Sequence, residues 1–206
     1  MSAGGWRAGG WLAWALLSGA ACSTSPVAFD QPTDVAVGPG GDFYVADGYG
    51  NTRVARFRSD GTYLSEWGGS GDGPGEFDIP HGIAVGPDGR VYVADRGNAR
   101  IQVFDAEGAF LTEWKGPELG RPWGLTLGRD GFLYVIDGGD QDAKHPRARA
   151  LKLDLEGNVV ARWGSHGQGT GQFDWGHDIA VDRQGNVYVV DVRGKRVQKF
   201  RPPRAP

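Results

Sequence analysis

Cysteine is nearly absent. The 206 residues hold a single one, Cys22, so no intrachain disulfide braces the fold. A dominant charge is lacking too: 22 Lys and Arg stand against 25 Asp and Glu, a net of -3, with no basic block and no acidic tail. Apart from the short basic end Arg201 to Arg204, nothing offers a surface that could track phosphates, which excludes nucleic acid as an expected partner. Long hydrophobic runs are missing as well. The apolar stretch Trp11 to Ala21 has eleven residues, too few to span a bilayer. What is abundant is glycine, 36 residues against a usual share of about 7%. Helix interiors disfavour glycine, so a helical bundle is excluded, and the absence of a G-X-Y period excludes collagen. Eight Trp and 11% aromatic residues exclude a disordered chain.

The N-terminus has the form of an export signal. Arg7 is the only charge before Asp30, the apolar run follows it, and the run ends at Cys22. Leu17-Ser-Gly-Ala-Ala-Cys22 resembles a bacterial lipobox, with Gly19 where that motif prefers Leu. The expectation is a signal over residues 1–21, a lipidated Cys22, a linker over 22–30 and an exported protein of the cell envelope. In that case the membrane is met only through a lipid anchor, or the protein is secreted if Cys22 stays unmodified.

Internal repeats dominate the chain beyond residue 30. Each unit opens with a short apolar strand, at Pro32 to Val37, Pro80 to Val85, Pro122 to Leu127 and Gly176 to Val181. A Gly turn follows, then a second strand that ends in Asp47, Asp95, Asp137 or Asp191. A third strand alternates, as in Arg53-Val-Ala-Arg-Phe57, and a fourth ends in Trp67, Trp114 or Trp163. The Asp column is spaced 48, 42 and 54 residues apart. The column Thr33, His81, Trp123, His177 keeps the same spacings, so the register is the same in both. Four strands per unit of some 40 to 50 residues form the pattern of a propeller blade. The fold class expected is therefore all-β: a β-propeller over 31–201 with four recognisable blades and a tail over 202–206. The insert Gly138 to Arg149 falls between strands two and three of the third unit. The fourth unit stops after its third strand, because the Pro-rich tail cannot donate a fourth. Val27-Ala-Phe29 has two readings, as that missing strand or as a match to the linkers Glu76-Phe-Asp78 and Gln172-Phe-Asp174. Four units predict a distorted closed ring or self-association, since an open arc leaves two apolar blade faces in water.

These units match NHL repeats, and more narrowly they resemble the peptidyl-α-hydroxyglycine α-amidating lyase family. The likeness rests on Pro32-Thr-Asp-Val-Ala-Val37, Asp47-Gly-Tyr-Gly-Asn-Thr-Arg-Val54, Phe77 to Val85 with Asp95 to Phe104, and His177 to Val181 with Val197 to Phe200. The resemblance implies a propeller, six-bladed in the family, with a zinc ion held in its channel by three His, of which His81 and His177 match two. It also implies Asp178 as an acidic ligand of a structural calcium, Tyr49 as the catalytic phenol and Arg96 as the group that engages the substrate. The family's first two blades have no counterpart here. With them go a third zinc His, a second active-site Arg and backbone calcium ligands. The family's Met-Pro-His reads Trp175-Gly-His177. His145 and His166 fall outside the ligand column, in the insert and an interblade loop.

Each candidate also has a structural reading. His81 and His177 could be polar turn residues at the channel mouth, and Tyr49 an exposed loop aromatic. Arg96 lies outside the repeat consensus, which favours function, whereas Arg53 aligns with Arg100 and Arg196 as a partner of the blade Asp. The Asp column reads as one structural contact per blade, and the Trp column as packing between blades. The function expected is metal-assisted C–N cleavage of a small peptide-like substrate, giving a peptide amide and glyoxylate. The competing expectations are a non-catalytic exported propeller that binds a protein or glycan and, more weakly, a metal-dependent hydrolase of small molecules.

Overall fold

Strands and tight glycine turns account for the whole of the computed structural model, which describes residues 27–140, 144 and 146–201. The expected signal, Cys22, His145 and the tail over 202–206 lie outside the described residues. Blade 1 holds β1 (Asp34–Val37), β2 (Phe43–Asp47), β3 (Arg53–Phe57) and β4 (Tyr63–Gly68). Blade 2 holds β5 (Pro80–Val85), β6 (Val91–Asp95), β7 (Arg100–Phe104) and β8 (Phe110–Lys115). In blade 3 the strands are β9 (Pro122–Leu127), β10 (Leu133–Asp137), β11 (Arg149–Leu153) and β12 (Val159–Trp163). A short parallel pair, β13 (Ser165–His166) and β14 (Gln172–Phe173), ties the next linker together. Blade 4 has three strands, β15 (Gly176–Val181), β16 (Val187–Asp191) and β17 (Arg196–Phe200). Every blade is an antiparallel meander in chain order.

Strand alternation gives each blade two apolar faces, and successive blades cover them. Ala46 and Val54 of blade 1 meet Ile83, Val93 and Phe104 of blade 2. Ala94 and Ile101 meet Leu125, Val135 and Leu151 of blade 3. Ile136 and Ala150 meet Ile179 and Val189 of blade 4. The described residues form no such cluster between blades 1 and 4. Val35 and Val37 stand 57% and 68% exposed at one end, and Val190 and Val197 stand 38% and 62% exposed at the other. A tight four-bladed ring is therefore not what forms, because the two end faces do not pack on each other.

The Asp and Arg columns are the fasteners of each blade. Asp95 is fully buried. It accepts the backbone N–H of Asp78 at 2.8 Å and the Nε of Arg100 at 2.7 Å. The Arg100 guanidinium continues to the carbonyls of Asp72, Gly73 and Glu76, pinning the linker to the sheet. Asp47 with Arg53, Asp137 with Arg149 and Asp191 with Arg196 repeat the arrangement. Arg53 donates to the Ala28 carbonyl and Asp47 accepts from the Asp30 N–H. Residues 28–30 are thus the linker of blade 1 and not a strand lent to blade 4. The Trp column packs between blades as its spacing suggests: Trp67 lies against Phe104 of the next blade at 5.6 Å.

Candidate functional site

The inner strands do not run straight into the channel mouth. In β5, Pro80 pairs with Asp95 and Gly82 with Ala94, so His81 is an extra residue outside the ladder. In β15, Gly176 pairs with Asp191 and Asp178 with Val190, which makes His177 the equivalent extra residue. The pairing of β9 with β10 skips across Trp123 and Gly124 in the same way. These are β-bulges, which bend a strand and re-aim one side chain. Glycine follows the bulged residue in two blades and lets neighbouring inner strands close up. A Cβ on Gly82 would stand 2.8 Å from the Trp123 carbonyl oxygen, and one on Gly124 would stand 2.5 Å from Asp178 Oδ1.

The bulges gather the sequence candidates. The rings of His81 and His177 make an edge contact with centroids 4.8 Å apart. Tyr49, in the turn after β2, brings its hydroxyl to 3.0 Å from His81 Nε2. His81 Nδ1 lies 3.0 Å from the Trp123 carbonyl. A carbonyl only accepts, so Nδ1 carries the proton, and Nε2 is the acceptor for the Tyr49 O–H. Arg96, in the turn after β6, donates from Nη1 to the Tyr49 hydroxyl at 3.4 Å, and its guanidinium stacks 3.5 Å above the Trp123 ring. Tyr49, His81, Arg96 and His177 therefore form one cluster. The chain of contacts runs from Arg96 to Tyr49, to His81, to the backbone of blade 3.

Burial sets the protonation states. His81 is 4% exposed, and desolvation, with His177 and the Arg96 cation beside it, pulls its imidazole down to about 4. His177 is lowered as well, chiefly by burial, with Arg96 adding to the effect and Asp178 opposing it. Both rings are neutral at pH 7. Burial also lowers Arg96, although a guanidinium remains charged. Among the described residues Arg96 has no carboxylate within ion-pair distance, whereas Arg53, Arg100, Arg149 and Arg196 each pair with a blade Asp.

Asp178 is exposed and turns its Oδ1 onto the N–H of Ile179. It borders a cavity of about 120 Å³ with Thr33, Asp34, His81, Gly82, Gly124 and His177. Asp34 was not foreseen as a site residue. It occupies the same repeat position as Asp178 and caps the Ile83 N–H at 2.9 Å, and burial raises its carboxyl to about 6. Trp123 was missed in the same manner. It shares the column of the two His and supplies both the stacking surface and the carbonyl that orients His81.

The donor set meets a zinc ion only in part. His81 and His177 are placed like a ligand pair, and the Nδ1–H bond to a carbonyl is the usual way a zinc-binding imidazole is held. Tight sites use at least three protein ligands, however, and among the described residues no group of three or more His, Cys, Asp or Glu is placed to hold an ion. Asp178 and Asp34 likewise fall short of the six to eight oxygens of a calcium site. The described residues thus do not fit either ion as a complete site.

The resemblance to NHL repeats is borne out by a family model for the NHL repeat, which matches residues 29–57, 77–104 and 173–200. The chain carries NHL repeats and folds as a four-bladed propeller. It is 54% identical over 41 residues to peptidyl-glycine alpha-amidating monooxygenase B of Xenopus laevis. That match covers 19% of this chain and 5% of the relative. Among solved structures, a catalytically inactive virginiamycin B lyase from Staphylococcus aureus with quinupristin superposes with a TM-score of 0.61 at 17% identity. The superposition covers 88% of this chain and 58% of that one. The WD40 β-propeller domain of Doa1 gives a TM-score of 0.59 at 16% identity, over 84% of this chain and 51% of that one. The chain spans little more than half the length of these solved propellers.

Proposed function

We propose that the channel mouth is an acid–base site of the peptidyl-α-hydroxyglycine amidating-lyase type. The observation that carries this reading is the contact chain Arg96–Tyr49–His81, with His177 in ring contact, built from three blades at one opening. The short match to an alpha-amidating enzyme supports a relation to that family.

The substrate is a carbinolamide, an amide nitrogen on a carbon that bears a hydroxyl and a carboxylate. Its carboxylate pairs with Arg96, which among the described residues has no carboxylate partner, bidentate where geometry allows. The Tyr49 oxygen takes the hydroxyl proton as the Tyr49 proton passes to His81 Nε2. A C=O bond forms, the C–N bond breaks, and the relay returns a proton to the leaving nitrogen. The products are a peptide amide and glyoxylate. A phenol with an ordinary value of about 10 is a poor base alone, and coupling it to a neutral imidazole supplies the missing acceptor. Binding of the carboxylate also offsets the Arg96 charge, one of the influences that hold His81 down.

His81 and His177 would be the residues to hold a zinc ion and Asp178 to touch a calcium, but the relay uses His81 Nε2 as its proton acceptor, and no step depends on either ion. The export-type N-terminus would place the reaction in the cell envelope. The test is glyoxylate release from an N-acylated α-hydroxyglycine peptide. Wild type is expected to turn it over, and Tyr49→Phe to lose about 10²- to 10⁴-fold in kcat, the usual span for one acid–base group. No release with or without added zinc overturns the reading. The incomplete metal donor set favours a second reading, a non-catalytic propeller that binds a protein or glycan through the same cluster. Turnover separates the two: glyoxylate release that is lost in Tyr49→Phe supports the enzyme, and no release by wild type supports the binding module.

A further inference from the structure

The turns after the second strands are where this fold delivers side chains to the channel mouth. Tyr49 stands two residues after Asp47, and Arg96 one residue after Asp95. The corresponding positions in blade 3 are Gly138 and Gly139. In blade 4 the position two residues after Asp191 is Arg193, the repeat equivalent of Tyr49. Its guanidinium lies 4.9 Å over the ring of Trp175. Trp175 meets Trp123 at 5.3 Å, nearly perpendicular, and faces His177 at 6.5 Å. Trp123 in turn carries Arg96. Arg96, Trp123, Trp175 and Arg193 are therefore in continuous contact, with a cation stacked at each end; Trp123 is buried beneath, and Trp175 is the half-buried ring of the pair. Among the described residues neither cation has a carboxylate partner, and Arg193 is exposed. Cations stacked on indoles keep their N–H groups in plane and free to bind an anion.

We propose that Trp175 and Arg193 form a second subsite that selects peptides with an acidic residue immediately before the hydroxyglycine. This rests on the lyase reading: with the terminal carboxylate on Arg96, the peptide passes over the half-buried Trp175 ring, and its next side chain comes to Arg193. A glutamate there makes a charge-assisted hydrogen bond, and a lysine meets a like charge. The two roles split by position, since Arg96 touches the Tyr49 relay whereas Arg193 touches only Trp175.

The test uses two α-hydroxyglycine peptides that differ only in Glu or Lys at the preceding position, and their unreactive glycine analogues as binding probes followed by tryptophan fluorescence. The Glu substrate is expected to have a kcat/KM about five- to tenfold above the Lys substrate, carried mainly by KM, the scale of one exposed charge-assisted contact. Arg193→Glu reverses the order and Arg193→Gln abolishes it; the exposed position allows both variants to fold. Turnover of both peptides without preference, or a preference that survives both variants, overturns the subsite while leaving the lyase reading intact. If no peptide is turned over, the lyase reading fails and the glycine analogues decide the subsite. Tighter binding of the Glu analogue that is lost in Arg193→Glu supports it, and equal binding of the two overturns it.

Discussion

At the scale of single residues, the cluster is defined by a buried base kept neutral. His81 would titrate near 6.5 in an unfolded chain and near 4 in the fold. The native state therefore resists a proton that the unfolded state accepts. The stabilisation tied to this difference is full above about 6.5 and is lost as pH falls toward 4, on the order of 3 kcal/mol for a shift of this size. Asp34 acts in the opposite sense. Raised to about 6, it contributes most below the ordinary carboxylate range and loses that contribution as pH rises through 6. Urea unfolding of metal-free protein between pH 7 and pH 4.5 should show wild type losing stability relative to His81→Gln as the pH drops. Parallel curves would mean that His81 is not buried neutral. His81 and His177 stood in one repeat column and Arg96 stood out from its own, whereas Tyr49 was named only by the resemblance to the lyase family. Trp123 shared the column of the two His and Asp34 that of Asp178, yet neither was singled out, since an indole is no metal ligand and Asp34 has no His beside it; the bulges show how these positions meet at the mouth.

At the scale of the blade, strand limits were legible almost to the residue, because glycine turns and the terminal Asp punctuate each strand. What the pattern could not show is that each bulge inserts a residue where the inner strand enters the mouth. A one-residue irregularity leaves the alternation on either side looking regular. The fourth member of the Arg column, Arg149, was obscured by the insert that precedes it, and the structure shows it clasping Asp137 and the carbonyls of Pro117 and Glu118. These clasps hold linker to sheet together with Phe77, Leu119 and Phe173, which the linkers bury in the interblade cores, and removing one should be costly. In Asp95→Ala, the Arg100 guanidinium, 4% exposed, loses its main buried partner, and the N–H of Asp78 loses its acceptor. We expect a loss of about 3–5 kcal/mol, the range for breaking a buried ion pair from one side. Asp95→Asn keeps one acceptor and should lose less. Thermal unfolding checks both, and an Asp95→Ala variant as stable as wild type would show that the clasps are ornament to the interblade cores.

At the scale of the molecule, the arc has two ends that the packing of the described residues leaves bare. One presents Val35 and Val37. The other presents Val190 and Val197 beside β17, which among the described residues pairs only with β16. The interior interfaces show what such faces do when they meet: valine, isoleucine and leucine from facing sheets bury one another completely. A bare apolar face next to an unpaired strand edge is a site of association. The N-terminal end face of one copy is suited to the C-terminal end face of another. That contact is heterologous, so it closes only if the rotation between copies completes a ring and otherwise continues as a chain of arcs. We expect sedimentation velocity to show a mass that rises with protein concentration. Val37→Lys with Val197→Lys should return the protein to a monomer without changing its circular dichroism, because all four end-face valines lie outside the interblade clusters. A wild-type protein that stays monomeric across the accessible concentrations would mean that water tolerates both faces, and that three interblade cores and four clasps suffice to hold an open arc.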